Sequence, residues 1–226
     1  MKKIFLIITF IALSMGIYSA ELVPTITMNG VGNVEVTPDI AYISFGITNT
    51  GKDLSPLKKE NDRLTKKVVE TLFKSGVAKE DIYTSNYNIS HHYNYQTEGE
   101  NKEKVYTVTN QMKLTVENIE AVGDLINLLE ENGVNTVQGI NYTTTKQEEL
   151  KLQALKRAYL DAKKSAESIA KLEGYKIEVL SITPLGSIPR PELYMASDSV
   201  KRSNSIYNPS DISINANITV VFKLIK

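Results

Sequence analysis

The sequence predicts an α+β fold, on three observations. Apolar side chains alternate with polar ones around residues 26–47, 83–95, 106–116 and 212–224, the period of half-buried strands. Two long stretches between them, near 55–75 and 145–173, carry apolar residues at helical spacing instead. Each ends in a glycine, Gly76 or Gly174, after which alternation resumes. The expected architecture is two strand-helix-strand-strand units forming mixed or antiparallel sheets, with long amphipathic helices packed on them.

The first alternating run, ITMNGVGNVEVTPDIAYISFGI from Ile26 to Ile47, sets two glycines one residue apart. A phosphate-cradling loop needs a strand that turns abruptly into a helix with its amides facing the anion. Here the alternation simply continues. Ile26, Met28, Gly30, Gly32, Val34 and Val36 share one parity, so the glycines lie on the apolar side. Glycine there marks a bulge, or a place where another backbone or a bulky ring comes close. Pro38-Asp39 reads as a turn and Ala41, Ile43, Phe45 and Ile47 as the next strand, the two pairing as a hairpin.

The following helix has Ser55 as its cap, Pro56 at its first position and Gly76 as its stop. Leu57, Leu64, Val68 and Leu72 make its apolar stripe, with Asp62–Lys66 and Glu70–Lys74 spaced for surface pairs. The next strand places Tyr83, Tyr87, Ile89, His91, Tyr93 and Tyr95 on one face. Tyr83, Tyr87, His91, Tyr93 and Tyr95 are therefore a candidate ligand or interface face, with core packing as the plainer alternative. A polar turn returns the chain to Tyr106, Val108, Met112, Leu114 and Val116 on one side of a further strand.

An acidic helix capped by Asn118 follows, with Val122, Leu125 and Leu128 or Leu129 facing in, and then the strand VQGINYTTT. Thr145 and Glu148 have capping-box spacing at the head of a long helix whose stripe reads Leu152, Leu155, Tyr159, Ala162, Ala166 and Ile169. After Gly174 come the strand YKIEVLSITPL and, at the end, Ile212 through Leu224 in clean alternation.

The expected organisation is a signal peptide over 1–20 and one domain over 21–226, made of two related halves at about 41–116 and 137–224. The signal reading rests on Lys2-Lys3, a short uncharged apolar run and small residues after it, with cleavage after Gly16 or Ala20. Export to the periplasm follows, with outer-membrane association as a further option and no integral span after cleavage. A long Pro- and Ser-containing loop at 184–211 departs from the repeat. It reads either as a plain disordered loop or as an assembly arm built on Pro189, Pro191, Leu193, Tyr194 and Met195.

Composition excludes several classes of function. The 226 residues are 42% hydrophobic and 23% charged, which suits a globular chain. Removing Lys2 and Lys3 leaves 24 bases against 26 acids, too balanced for a nucleic-acid field. With zero cysteines there is no disulfide, thiolate site, cysteine nucleophile or lipid-bearing cysteine. His91 and His92 are the two histidines, and as strand neighbours they point apart, so neither a metal site nor an imidazole-based triad is expected. The reading is non-enzymatic, without cofactor.

The stretch Ile26–Ile47, the helix LKKENDRLTKKVVETLFKSGV with AKEDIYTSNYNI after it, and the terminal ISINANITVVFKLI together resemble the SIMPL-domain family, also called DUF541. That resemblance covers essentially the whole chain after the leader. It implies an exported envelope protein of the 26 kDa periplasmic immunogenic type, an α+β domain, self-assembly, and a general link to oxidative-stress tolerance, with no catalytic residues to carry over. Asn208-Pro209-Ser210-Asp211 stands where the family has a glycine-bearing turn. The expected function is a self-assembling envelope scaffold and homo-oligomer, with an envelope protein as a further candidate partner. The alternative is a small-molecule or partner-binding module using the tyrosine strand. Charge favours the oligomer: residues 52–80 and 146–176 each carry eight bases against five acids, while the helix after Asn118 is acidic.

Overall fold

The computed structural model describes residues 23–95, 102–185, 192–193 and 209–226. The expected signal peptide, and Pro189, Pro191, Tyr194 and Met195 of the expected arm, lie outside the described residues. In chain order the elements are β1 (Thr25–Val36), β2 (Ile40–Gly51), α1 (Leu54–Lys74), β3 (Ile82–Tyr95), β4 (Lys102–Val116), α2 (Val122–Glu131), β5 (Thr136–Thr143), α3 (Gln147–Leu172), β6 (Lys176–Leu185), β7 (Glu192–Leu193) and β8 (Ile212–Ile225). They form two sheets, β1-β8-β6 with β7 also on β8, and β3-β4-β2-β5. Every strand pairing described is antiparallel.

The expected hairpin of β1 with β2 does not form. β1 pairs with β8 from Thr25–Lys223 to Val36–Ile212, while β2 lies between β4 and β5. Thr37-Pro38-Asp39 contains no residue of positive φ, which tight hairpin turns use, and the chain passes from one sheet into the other. Each strand then buries its apolar face in a different core. Leu193, the arm residue that is described, has its backbone paired with Ile212 in β7.

The first core lies between α3 and the β1-β8-β6 sheet, and it explains the glycine pair. A Cβ on Gly32 would sit 1.9 Å from the Ala154 carbonyl oxygen, and one on Gly30 would sit 2.0 Å from that of Ala158. The helix backbone rests directly on the strand. Such proximity requires small residues on the helix too, and the buried stripe is Leu150, Ala154, Ala158, Ala162, Ala166 and Ala170. The stripe expected from larger residues is therefore rotated. Leu152 is 67% exposed and Ile169 46%, while Leu155 and Tyr159 are partly buried at the margin. The facing strand residues Ile214, Ile218, Val220 and Phe222 supply the bulk that the alanines lack.

The second core lies under α1 and α2 against β2 and β4. Ile43, Phe45, Ile47, Met112 and Leu114 from the strands meet Val68 and Leu72 of α1 and Val122, Ile126 and Leu129 of α2. α1 begins after Asp53, two residues before the expected cap at Ser55, so Pro56 falls inside the first turn, where its missing N–H is still harmless. The surface pairs that form on it are Glu60–Arg63 and Lys66–Glu70. Asn61 completes the stripe between Leu57 and Leu64 and is fully buried, where its Nδ2 donates to the Ile47 carbonyl and to Asn49 Oδ1, both at 2.9 Å. Asn118 Oδ1 accepts from the Glu120 N–H, as expected for a cap.

Asp39 ties the two sheets together. Its Oδ1 accepts from the Thr145 N–H at 2.7 Å, and its Oδ2 from the Thr145 hydroxyl at 2.8 Å and the Thr144 hydroxyl at 3.3 Å. The capping box expected at Thr145 is consequently absent, because that hydroxyl is spent on Asp39, and α3 starts after Lys146. Desolvation pushes the Asp39 carboxyl up, but the hydrogen bonds from Thr145 and Thr144 outweigh it and hold the group below its ordinary value.

Two outcomes follow. Gly32→Ala should lower stability by about 1–3 kcal/mol, because the added carbon meets a helix backbone that cannot yield locally; an unchanged urea midpoint would show that α3 is not seated on β1. Because the Asp39 pKa is depressed in the folded state, its contribution is complete above the unfolded value of about 3.9 and fades as pH falls below it. The difference in urea midpoint between wild type and Asp39→Asn should accordingly shrink from pH 7 to pH 3, and a constant difference would contradict this.

Candidate functional site

The candidate site is the ribbon made by β3 and the first half of β4. Pairing of β2 with β4 ends at Gly51–Tyr106, whereas β3 and β4 remain paired out to Tyr95–Lys102. The ribbon thus projects beyond β2 as two strands, with a Lys52–Glu103 ion pair at its base. Its sequence dictates this shape: fourteen residues of β3 contain neither a proline nor a charged side chain, and many are β-branched or aromatic.

A bulge corrects the expected tyrosine face. The register slips between Thr84 and Asn86, so Ser85 is extra. Tyr83 pairs with Lys113, whereas Tyr87, Ile89, His91, Tyr93 and Tyr95 stand opposite Asn110, Val108, Tyr106, Lys104 and Lys102. The row from Tyr87 onward shares the helix side of the sheet with buried Val108 and Asn110, and Tyr83 lies on the other side. Core packing is also excluded for the described side chains, since β3 is exposed on both faces from Tyr83 to Asn94.

The exposed rings touch one another. His91 meets Tyr93 edge-on with centroids 5.8 Å apart and Tyr106 at 6.0 Å. Lys104 Nζ stands 4.7 Å from the Tyr106 centroid, and hydrogen bonding to Tyr106 raises the Lys104 pKa above its ordinary value. His92 pairs with Val105 on the opposite face, so the two histidines do not converge. Among the described residues no group of three or more His, Cys, Asp or Glu side chains is placed to hold a metal ion. Clefts at the two ends of α1 are lined by Gly51, Lys52, Asp53, Pro56, Leu57 and Glu60 at one end, and by residues including Ser75, Asp81 and Glu117 at the other.

Among the open edge strands β3 is distinguished by its length, fourteen residues against eight in β5 and ten in β6. On β1, at the edge of the other sheet, Asp161 Oδ2 accepts from the Val31 N–H at 3.0 Å and Arg157 donates to the Asn33 carbonyl. Where β5 stops, Asn135 extends its ladder by bonding both the N–H and the carbonyl of Thr48. Among the described residues no side chain from another element hydrogen-bonds the backbone of β3. Exposed, regular, uncharged edges invite pairing with another chain. Asp161, Arg157 and Asn135 carry no motif that marks them as edge guards, whereas the absence of charge in β3 can be read directly from its sequence.

A profile of the family described as SIMPL, protein of unknown function (DUF541), matches residues 26–222. The chain belongs to the SIMPL family. Among its relatives, "Uncharacterized protein YggE" of Edwardsiella ictaluri is 24% identical over 215 residues, covering 90% of this chain and 88% of that protein. The "26 kDa periplasmic immunogenic protein" of Brucella melitensis is 25% identical over 171 residues, covering 74% of this chain and 68% of the relative. The protein of the same name from Brucella abortus matches to the same extent. The Brucella relatives carry a periplasmic name, and no helix among the described residues of this chain is long and apolar enough to cross a membrane.

Proposed function

We propose that this SIMPL protein is a non-enzymatic, exported envelope protein that works as a self-assembling scaffold, and that the β3 edge is a contact between its copies. The observation carrying this is the edge itself: a fourteen-residue strand without Asp, Glu, Lys or Arg, exposed on both faces from Tyr83 to Asn94 and without a guarding side chain among the described residues, on a molecule that guards β1 and the end of β2. A flat ribbon offers a partner strand more readily than it offers the concave pocket a small ligand needs, which favours a protein partner.

Export is supported by the Lys2-Lys3 and apolar character of residues 1–20, read as a signal peptide, and by the periplasmic name of the Brucella relatives. The passage of the chain from one sheet to the other after β1, and back again after β5, supports a single domain over 21–226. The segment around Pro189, Pro191, Leu193, Tyr194 and Met195 is a candidate second contact. Any part in oxidative-stress tolerance would act through the assembly; of the described methionines, Met112 is in the core and Met28 is half-buried.

Light scattering on the size-separated mature protein should find a discrete multiple of the monomer mass. Ile89→Lys, which places a charge on the exposed edge, should reduce that mass, by dissociation of the β3 contact, without altering the circular dichroism of the fold. A wild-type protein that remains monomeric at all concentrations would refute the scaffold reading.

A further inference from the structure

Resting on that reading, we infer that β3 pairs antiparallel with β3 of a second copy, about a two-fold axis passing through His91, joining two four-stranded sheets into one continuous eight-stranded sheet. The argument is self-complementarity. Beyond the bulge at Ser85, β3 is regular from Asn86 to Tyr95, and His91 lies near the middle of that stretch. Centring the pair on His91 sets Ile89 of each copy opposite Tyr93 of the other on the helix side. Aromatic and β-branched residues are favourable cross-strand neighbours.

On the other face the same register sets Asn88 opposite Asn94 and Ser90 opposite His92, pairs of amide, hydroxyl or imidazole side chains able to donate and accept. No carboxylate, ammonium or guanidinium of β3 meets another anywhere in the register, because β3 contains no Asp, Glu, Lys or Arg. The side chains covered are those now in water: Ile89 is 40% exposed and Tyr93 46%. An isologous contact is the commonest way for one chain to pair with itself, and it uses up the whole regular edge in both copies.

β6 is a weaker candidate for the same role. Its outer residues Leu180 and Ile182 are also exposed, but a bulge at Leu180 and the missing N–H of Pro184 leave it a much shorter regular edge. At the axis the two His91 rings stand opposite each other, with Tyr93, Tyr106 and Lys104 of each copy around them.

The chain has no cysteine, so single-cysteine variants report the register directly. Residues opposite each other in an antiparallel pair have Cα atoms about 4.5–5.5 Å apart, within disulfide reach. His91→Cys should cross-link to itself under mild oxidation. Ile89→Cys and Tyr93→Cys should each fail alone, because each is then about 13 Å from its own copy, and should cross-link when mixed. Each variant is checked by light scattering before oxidation. If the wild type assembles but His91→Cys links no faster than Ile89→Cys, the two-fold register is wrong while self-assembly stands. A monomeric wild type overturns both.

Discussion

The contact on which the rest of this structure depends is backbone against backbone: the carbonyls of Ala154 and Ala158 resting where Gly32 and Gly30 have no side chains. At that distance an amphipathic helix cannot bury leucines toward the strand, so α3 turns its alanines inward and leaves Leu152 in water. Close packing of small groups gains dispersion contacts along the length of the helix, while Phe222 and the isoleucines of β8 fill the volume. Proximity also gives α3 a second role. Its flank carries Arg157 and Asp161 to the outer edge of β1, where they satisfy a carbonyl and an N–H that would otherwise face another chain.

Seating β1 under α3 also removes it from β2. The three residues between them become a bridge between sheets, and Asp39 uses its carboxylate to bind the threonines that lead into α3. Around this bridge the molecule divides its backbone edges into two kinds. β1 and the end of β2 are covered by side chains from α3 and by Asn135. β3, on a ribbon that outruns its sheet, has no such cover among the described residues and has no charge of its own. On the scaffold reading, function is a question of which backbone groups remain available, and β3 offers the longest row of them.

Much of this was legible in the sequence, and the misses share a cause. Strand and helix positions, the inward rows of β4 and β8, and the requirement of Gly30 and Gly32 for a close neighbour all follow from local periodicity and from what glycine permits. The expected stripe of α3 holds at Ala162 and Ala166 and fails at Leu152 and Ile169, because size ranks leucine and isoleucine above alanine, although Ala154, Ala158, Ala162, Ala166 and Ala170 keep a strict four-residue spacing. Asn61 was legible in principle, since it falls on the Leu57–Leu64–Val68 stripe, but its partners Ile47 and Asn49 come from a strand that only folding brings near. The division of the tyrosine row at Ser85 had no local signal, because one extra residue inverts every side chain before it relative to those after it.

By itself the sequence determined which residues form strands and helices, which side of most of them is apolar, and that the tyrosine-bearing strand would carry no Asp, Glu, Lys or Arg. These are properties of period and composition, and they need no knowledge of what lies opposite. Only the tertiary structure decided that β1 pairs with β8 instead of β2, that α3 presents alanines to glycines, and that β3 remains an open edge. Alternation states which face of a strand is buried but is silent about its hydrogen-bonding neighbour, because every strand offers the same N–H and carbonyl groups to any partner brought beside it.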